Sequence, residues 1–147
     1  MADFIADSNI FVRLANKNDV FNSVAEKAVK TLGLNGDRIF ILPQNLHEFY
    51  VVATRPASAR GGLGLTPAQA KIEMNRLREI FNFLPDTAEV FTVWTRIVDA
   101  YGVSGVAAHD ARIVAAMQVH GISNLLTFNT ADFVRYSNIV VLHPSAV

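Results

Sequence analysis

The chain has no cysteine. That excludes disulfides, thiolate metal sites and cysteine nucleophiles, and it favours a cytoplasmic setting. It also has no excess of charge of either sign: 13 Lys and Arg stand against 13 Asp and Glu. A protein that grips nucleic acid by bulk charge would be basic, so any such contact is expected to be local. No apolar run approaches the roughly 20 residues of a membrane span. The opening MADFIADSNIF lacks a basic start and a cleavage site. Neither membrane insertion nor export is therefore expected. The cluster Gly61, Gly62, Gly64 follows no strand-like run, so it is no phosphate-binding fingerprint and reads as a mobile surface loop.

Of the 147 residues, 51% are hydrophobic and 18% charged, which suits a single domain over residues 1–147 built on one core. Short apolar runs at 2–6 (ADFIA), 38–42 (RIFIL), 124–128 (NLLTF) and 139–143 (IVVLH) read as strands. Helical patterns lie between them. NIFVRLA follows the first strand, and residues 19–34 place Val20, Val24, Ala28 and Leu32 in step. QNLHEFYVVATR (44–55) is apolar almost all round. Thr66-Pro67-Ala68-Gln69 is a capping box that opens a helix to about Phe83, and Asp86 with Glu89 repeats the device for a helix to about Tyr101. A last helix is closed by Gly121. Strands alternating with helices of this length predict an α/β fold, a parallel sheet covered on both faces.

Acids stand in odd places on this frame. In VAAHDARIVAAM (106–117), Asp110 shares a helix face with Ile113, Val114 and Met117. An uncompensated charge there costs several kcal/mol, of order, unless it neutralises or finds a partner. Its first-turn position also suits the helix dipole. Asp7 directly follows the first strand, where a helix N-cap is the commoner meaning and a site residue the sharper one. Glu48 sits among Leu46, Phe49, Tyr50 and Val51, as one wet position on a buried helix or as a functional group. In TFNTADF (127–133), Asn129 and Asp132 follow a strand and serve either a turn or a site. Together these residues are predicted to converge at one edge of the sheet. A pair of carboxylates at 4 Å repels by about 4 kcal/mol at an effective dielectric of 20. Such a group either raises its pKa values or binds a divalent cation, and oxygen ligands suit Mg²⁺ or Mn²⁺. That chemistry belongs to metal-dependent nucleases.

The segments ADSNIF, LHEFYVVATRP, HDARIVAAM, LLTFNTADF and IVVLHP, in this order, resemble PIN-domain ribonucleases and, within them, VapC-like toxins of type II toxin–antitoxin pairs. The resemblance runs nearly end to end. It implies an α/β/α sandwich around a central, mostly parallel sheet of four to five strands, and Mg²⁺- or Mn²⁺-dependent cleavage of RNA. It further implies frequent homodimers and inhibition by a small antitoxin. Residue by residue, Asp7, Glu48 and Asp110 match the family's acids, Ser8 and Asn9 match positions that support the first, and Thr127 matches the hydroxyl residue before the last ligand. Many relatives have Asp where this chain has Asn129, and Asp132 lies one turn later. A neutral ligand there leaves one-metal catalysis open and weakens the case for two.

Arg112 reads as a phosphate ligand, as a clamp on a pocket carboxylate or as a solvated surface residue. Arg55 and Arg60 flank the glycine loop, as RNA guides or, more blandly, as solubilising charge. Three function classes remain. One is a metal-dependent endoribonuclease with a toxin's role. Another is a degenerate fold of the same kind that binds RNA or a protein without cutting. The last is a phosphatase, disfavoured because the customary Asp-x-Asp reads Asp7-Ser8-Asn9.

Overall fold

Five short strands pair in parallel in the order β3-β2-β1-β4-β5. The computed structural model describes residues 1–147. In chain order the elements are β1 (Asp3–Ala6), α1 (Ser8–Ala15), α2 (Asn22–Leu34), β2 (Arg38–Ile41), α3 (Pro43–Thr54) and α4 (Pro67–Ile80). Then come β3 (Asn82–Phe83), α5 (Ala88–Tyr101), α6 (Ala107–His120), β4 (Asn124–Leu126) and β5 (Val140–Leu142), with 3₁₀ turns at Thr130–Phe133 and Pro144–Ala146. None of the helices is long and apolar enough to cross a membrane.

Strand alternation sorts the core into two layers. Phe4, Ala6, Ile39, Ile41 and Leu126 point to one face, where Ile10, Phe11, Leu32, Phe49 and Leu77 of α1 to α4 cover them. Ile5 and Leu125 point to the other, under Val90 and Ile97 of α5 and Ile113, Val114 and Met117 of α6. The result is the expected α/β/α sandwich. β1 is the central strand, bonded to β2 on one side and β4 on the other. The chain therefore winds outward from β1 in both directions, and a crevice opens at the carboxyl ends of β1 and β4.

Several boundaries differ from the sequence pattern. α2 begins at Asn22, not at 19, and Val20 is 84% exposed. Asp19 ends the preceding turn by accepting from the Phe21 N–H (2.8 Å), and Asn22 buries its amide on the Arg13 carbonyl (2.7 Å). The core-facing stripe is Ala25, Ala28 and Leu32. α4 stops at Ile80, and Asn82–Phe83 leave it to pair with Phe40 and Ile41 as the edge strand β3. Two residues carry no period from which to read a strand. Asp86 caps nothing. The N-cap of α5 is Thr87, and Asp86 instead meets Arg112 at 3.1 Å. β4 and β5 are also shorter than the apolar runs that contain them.

The glycine loop is stitched rather than loose. Leu63 and Leu65 donate to the Val52 and Ala53 carbonyls and Gly64 donates to Arg55, so the loop is tied to the last turn of α3. Gly62 runs so close to residue 56 that a Cβ would lie 2.2 Å from the Pro56 carbonyl oxygen. Backbone proximity, not chain mobility, is what this glycine supplies.

Candidate active site

Asp7 is the first residue beyond β1, with extended backbone and 6% exposure. Its Oδ1 accepts from the Ser8 N–H at 2.7 Å, starting α1. Its Oδ2 accepts from the Thr127 hydroxyl (2.8 Å) and the Asn9 amide (3.3 Å). Asp7 thus caps α1 through Oδ1 and ties the ends of β1 and β4 together through Oδ2. Thr127 follows β4, is fully buried, and accepts from the Asn129 N–H at 3.0 Å. Asn9 also accepts from the Phe128 N–H at 3.3 Å, so Asn9 and Thr127 bolt the two strand ends together around Asp7. Burial pushes the Asp7 carboxyl up to about 6, against the hydrogen bonds from Thr127 and Ser8, while Glu48 and Asp132 add repulsion.

Glu48 is half-buried on α3 and accepts from the Gln44 amide at 2.8 Å. Gln44 also donates to the His109 carbonyl (2.8 Å), which ties α3 to the start of α6. Arg112 donates to Gln44 Oε1 at 3.4 Å and to Asp86 Oδ2 at 3.1 Å. It borders a hollow beside Phe91 and Trp94 and not the acidic cleft. Arg112 thus contacts Gln44, the residue that bonds to Glu48, and forms an ion pair with Asp86.

Asp110 sits in the first turn of α6, half-buried, with Ile113, Val114 and Met117 fully buried beneath it. Its carboxylate receives no hydrogen bond from the protein. Burial, followed by the charges of Asp7, Asp132 and Glu48, raises its pKa to about 7. The acid on the apolar stripe stands at the rim of the core and looks outward.

Asp7, Ser8, Asn9, Glu48, Asp110 and Asn129 line one cleft of about 570 Å³, together with Arg13, Asn16, Asp19, Arg55 and Arg60. Asp132 is exposed and lies outside this lining, although its charge reaches Asp7 and Asp110. None of the four histidines lines the cleft. The acids share a cleft without closing into a cage: no three Asp, Glu or His side chains are grouped tightly enough to ligate one ion.

Gln44, Asn45 and Arg13 did not stand out in the sequence. Asn45 is fully buried, accepts from the Leu42 N–H (2.8 Å) and donates to Ser8 Oγ (3.3 Å). The available signal was Pro43 at the start of α3 with two polar residues after it, a helix opening whose third residue turns back on the chain.

Thr127→Val removes a donor that favours the charged Asp7. The Asp7 pKa is expected to rise further, read by a carboxyl ¹³C titration in metal-free buffer. An unmoved titration would break the link between the two residues.

A family model described as PIN domain matches residues 4–139. Among curated proteins no sequence matches the chain. Several solved structures share its fold. VapBC2 from Rickettsia felis, bound to a DNA fragment from its promoter, is 16% identical with TM-score 0.70, covering 96% of this chain and 98% of that one. VapBC-1 from nontypeable Haemophilus influenzae is 18% identical with TM-score 0.69, covering 97% and 98%. VapC20 of Mycobacterium tuberculosis, a sarcin-ricin loop cleaving toxin, is 18% identical with TM-score 0.64, covering 90% and 95%. At such identities the likeness is one of fold.

Proposed function

We propose that this chain, which belongs to the PIN domain family, is a metal-dependent endoribonuclease that hydrolyses RNA phosphodiesters and serves as the toxin of a toxin–antitoxin pair. One observation carries the reading. Asp7, Glu48 and Asp110 come from three separate segments to one cleft at the strand ends, and two of them are pushed toward neutrality. The donor set fits a hard cation. Asp7 Oδ1 receives a single hydrogen bond, while Glu48 Oε2 and both Asp110 oxygens receive none, so their lone pairs are unspent.

Because the three carboxylates do not close into a cage, Asp7, Glu48 and Asp110 would hold Mg²⁺ or Mn²⁺ partly through waters that the ion retains, with the Asn129 carbonyl as a neutral helper. The bound ion would neutralise charge on the phosphodiester and acidify the attacking water. Ser8, Asn9 and Thr127 keep Asp7 in place, and Gln44 with Arg112 keeps Glu48 in place. The neutral Asn129 favours one cation over two, and Asp132 stays an outer electrostatic contributor. That VapC20 is a sarcin-ricin loop cleaving toxin supports RNA as substrate, and the VapBC complexes support a small antitoxin partner. In a cytoplasmic homodimer, the antitoxin would lay a basic side chain into the acidic cleft.

The test is cleavage of RNA with Mg²⁺, Mn²⁺ or EDTA. Cutting with either metal and none in EDTA is expected. Millimolar Mn²⁺ is also expected to raise the melting temperature, because binding to the native state adds about 2.7 kcal/mol at a hundredfold excess over Kd. The second reading, a module that binds RNA or protein without cutting, is favoured by Asn129. It predicts RNA bound but intact under every metal condition.

A further inference from the structure

Arg13 is held from three sides inside the same cleft. Its guanidinium carbon lies 4.6 Å from the Phe21 ring centroid and 4.5 Å from that of Phe128. Nη1 donates to Asp19 Oδ1 at 3.1 Å. These anchors come from the turn before α2 and the segment after β4, so the guanidinium spans the cleft wall between distant parts of the chain. The side chain is only 26% exposed. A surface arginine of this length would sample many rotamers, whereas this one is already ordered, and the loss of that freedom is not charged to ligand binding.

A purely structural arginine spends its forked donors on the protein. Arg13 has one protein acceptor, Asp19 Oδ1, and its remaining N–H groups are left to the water of a cleft that it shares with Asp7, Asp110 and Asn129. The cleft floor is anionic and would repel an RNA backbone. With no net positive charge on the chain, attraction has to come from cations fixed beside that floor. Arg55 and Arg60 line the cleft as well, but without comparable anchorage: the Arg55 side chain reaches only the Arg60 carbonyl at 3.0 Å.

Resting on the nuclease reading above, we propose that Arg13 binds a backbone phosphate next to the scissile one in single-stranded RNA. Phe21 and Phe128, whose rings are tilted to each other, steady the guanidinium by cation–π contact, and Asp19 is the counter-charge that balances it until a phosphate takes over. A bidentate arginine–phosphate contact is directional, so Arg13 would set which bond of the strand lies over the acids.

The test measures binding of a short single-stranded RNA across a salt series, in the Asp110→Asn background, and steady-state cleavage in the active chain. Arg13→Gln is expected to weaken binding about tenfold and flatten the slope of log K against log salt by about 0.7, the loss of one phosphate contact. KM should rise about tenfold with kcat within threefold. Arg13→Lys should restore the slope but only part of the affinity, since an ammonium cannot make the forked contact. Asp19→Asn keeps an oxygen for the Phe21 N–H yet removes the competing charge, so binding should tighten severalfold. An unchanged KM and salt slope for Arg13→Gln would overturn the assignment. So would Asp19→Asn weakening binding together with a lowered melting temperature, the mark of a structural pair. If the wild-type chain binds RNA but never cuts it, the nuclease reading fails, and the salt slopes still decide Arg13.

Discussion

Asp110→Asn is expected to lower RNA cleavage by about 10²–10³-fold or more while raising the melting temperature of the metal-free protein. On the proposed nuclease reading, the first effect follows from removing a charged ligand that would work only when cation and phosphate are both present. The second follows from linkage. Burial and the neighbouring carboxylates push the folded pKa of Asp110 up to about 7, well above the ordinary carboxylate value of about 4. Its proton is therefore held more tightly by the folded chain, and the associated stability is full below pH 4 and lost as pH rises through 7. At pH 8 the wild type carries the cost of an ionised, repelled carboxylate. Because the group is half in water, that cost is about 1–2 kcal/mol. Asparagine should recover that amount, about 3–6 °C, and flatten the pH profile of stability between 4 and 7. If Asp110 were only a favourable first-turn charge, the sign would reverse, with a loss of about 0.3–1 kcal/mol from the helix dipole and activity retained. Cleavage rate and melting temperature at pH 5 and 8 for both proteins separate the two. Cleavage near the wild-type rate would remove Asp110 from the site.

Asn45→Ala should be the most damaging single change among the polar residues, at about 2–4 kcal/mol. Asn45 is fully buried, and its truncation strands the N–H of Leu42, itself 3% exposed, with no other acceptor. The cost of an unsatisfied buried donor adds to the lost hydrogen bonds and to the small void left by the side chain. The urea midpoint should fall with its slope unchanged, and the Leu42 amide should lose its protection from hydrogen exchange. Cleavage should fall too, because Ser8 loses its tie to α3 (3.3 Å) and Ser8 is the residue whose N–H holds Asp7. A midpoint equal to that of wild type would mean that the Leu42 N–H finds another partner.

What could be read before folding depended on how local each cause is. The strands β1, β2, β4 and β5 and the helix α6 follow from apolar spacing, because burial of one face leaves a periodic trace. β3 leaves none, since two residues cannot show a period and its pairing with Phe40 and Ile41 is made across the sheet. Val20 fits the helical spacing yet lies outside α2, because the Asp19 turn decides where the helix starts. Among the site residues, Asp7, Glu48 and Asp110 stood out as charges in apolar company. Gln44 and Arg13 did not, because each takes its meaning from a partner far along the chain: the His109 carbonyl for Gln44 and the Phe128 ring for Arg13. An ordinary polar residue becomes informative only when its distant partner is known.

The placement of β1 in the middle of the sheet bears on synthesis. The first strand made is flanked by β2, which follows soon, and by β4, which follows late. The hydroxyl that secures Asp7 belongs to a residue 120 positions downstream. On a ribosome, Asp7 and Glu48 therefore emerge long before the wall that completes their surroundings, and Asp110 and Thr127 follow much later. Long-range pairing of this kind is slow to form and cannot be anticipated by a partial chain. A nascent protein with this topology has no finished cleft until the segment through Thr127 has emerged, so an enzyme that cuts RNA would acquire that capacity only once almost the whole sheet has been made.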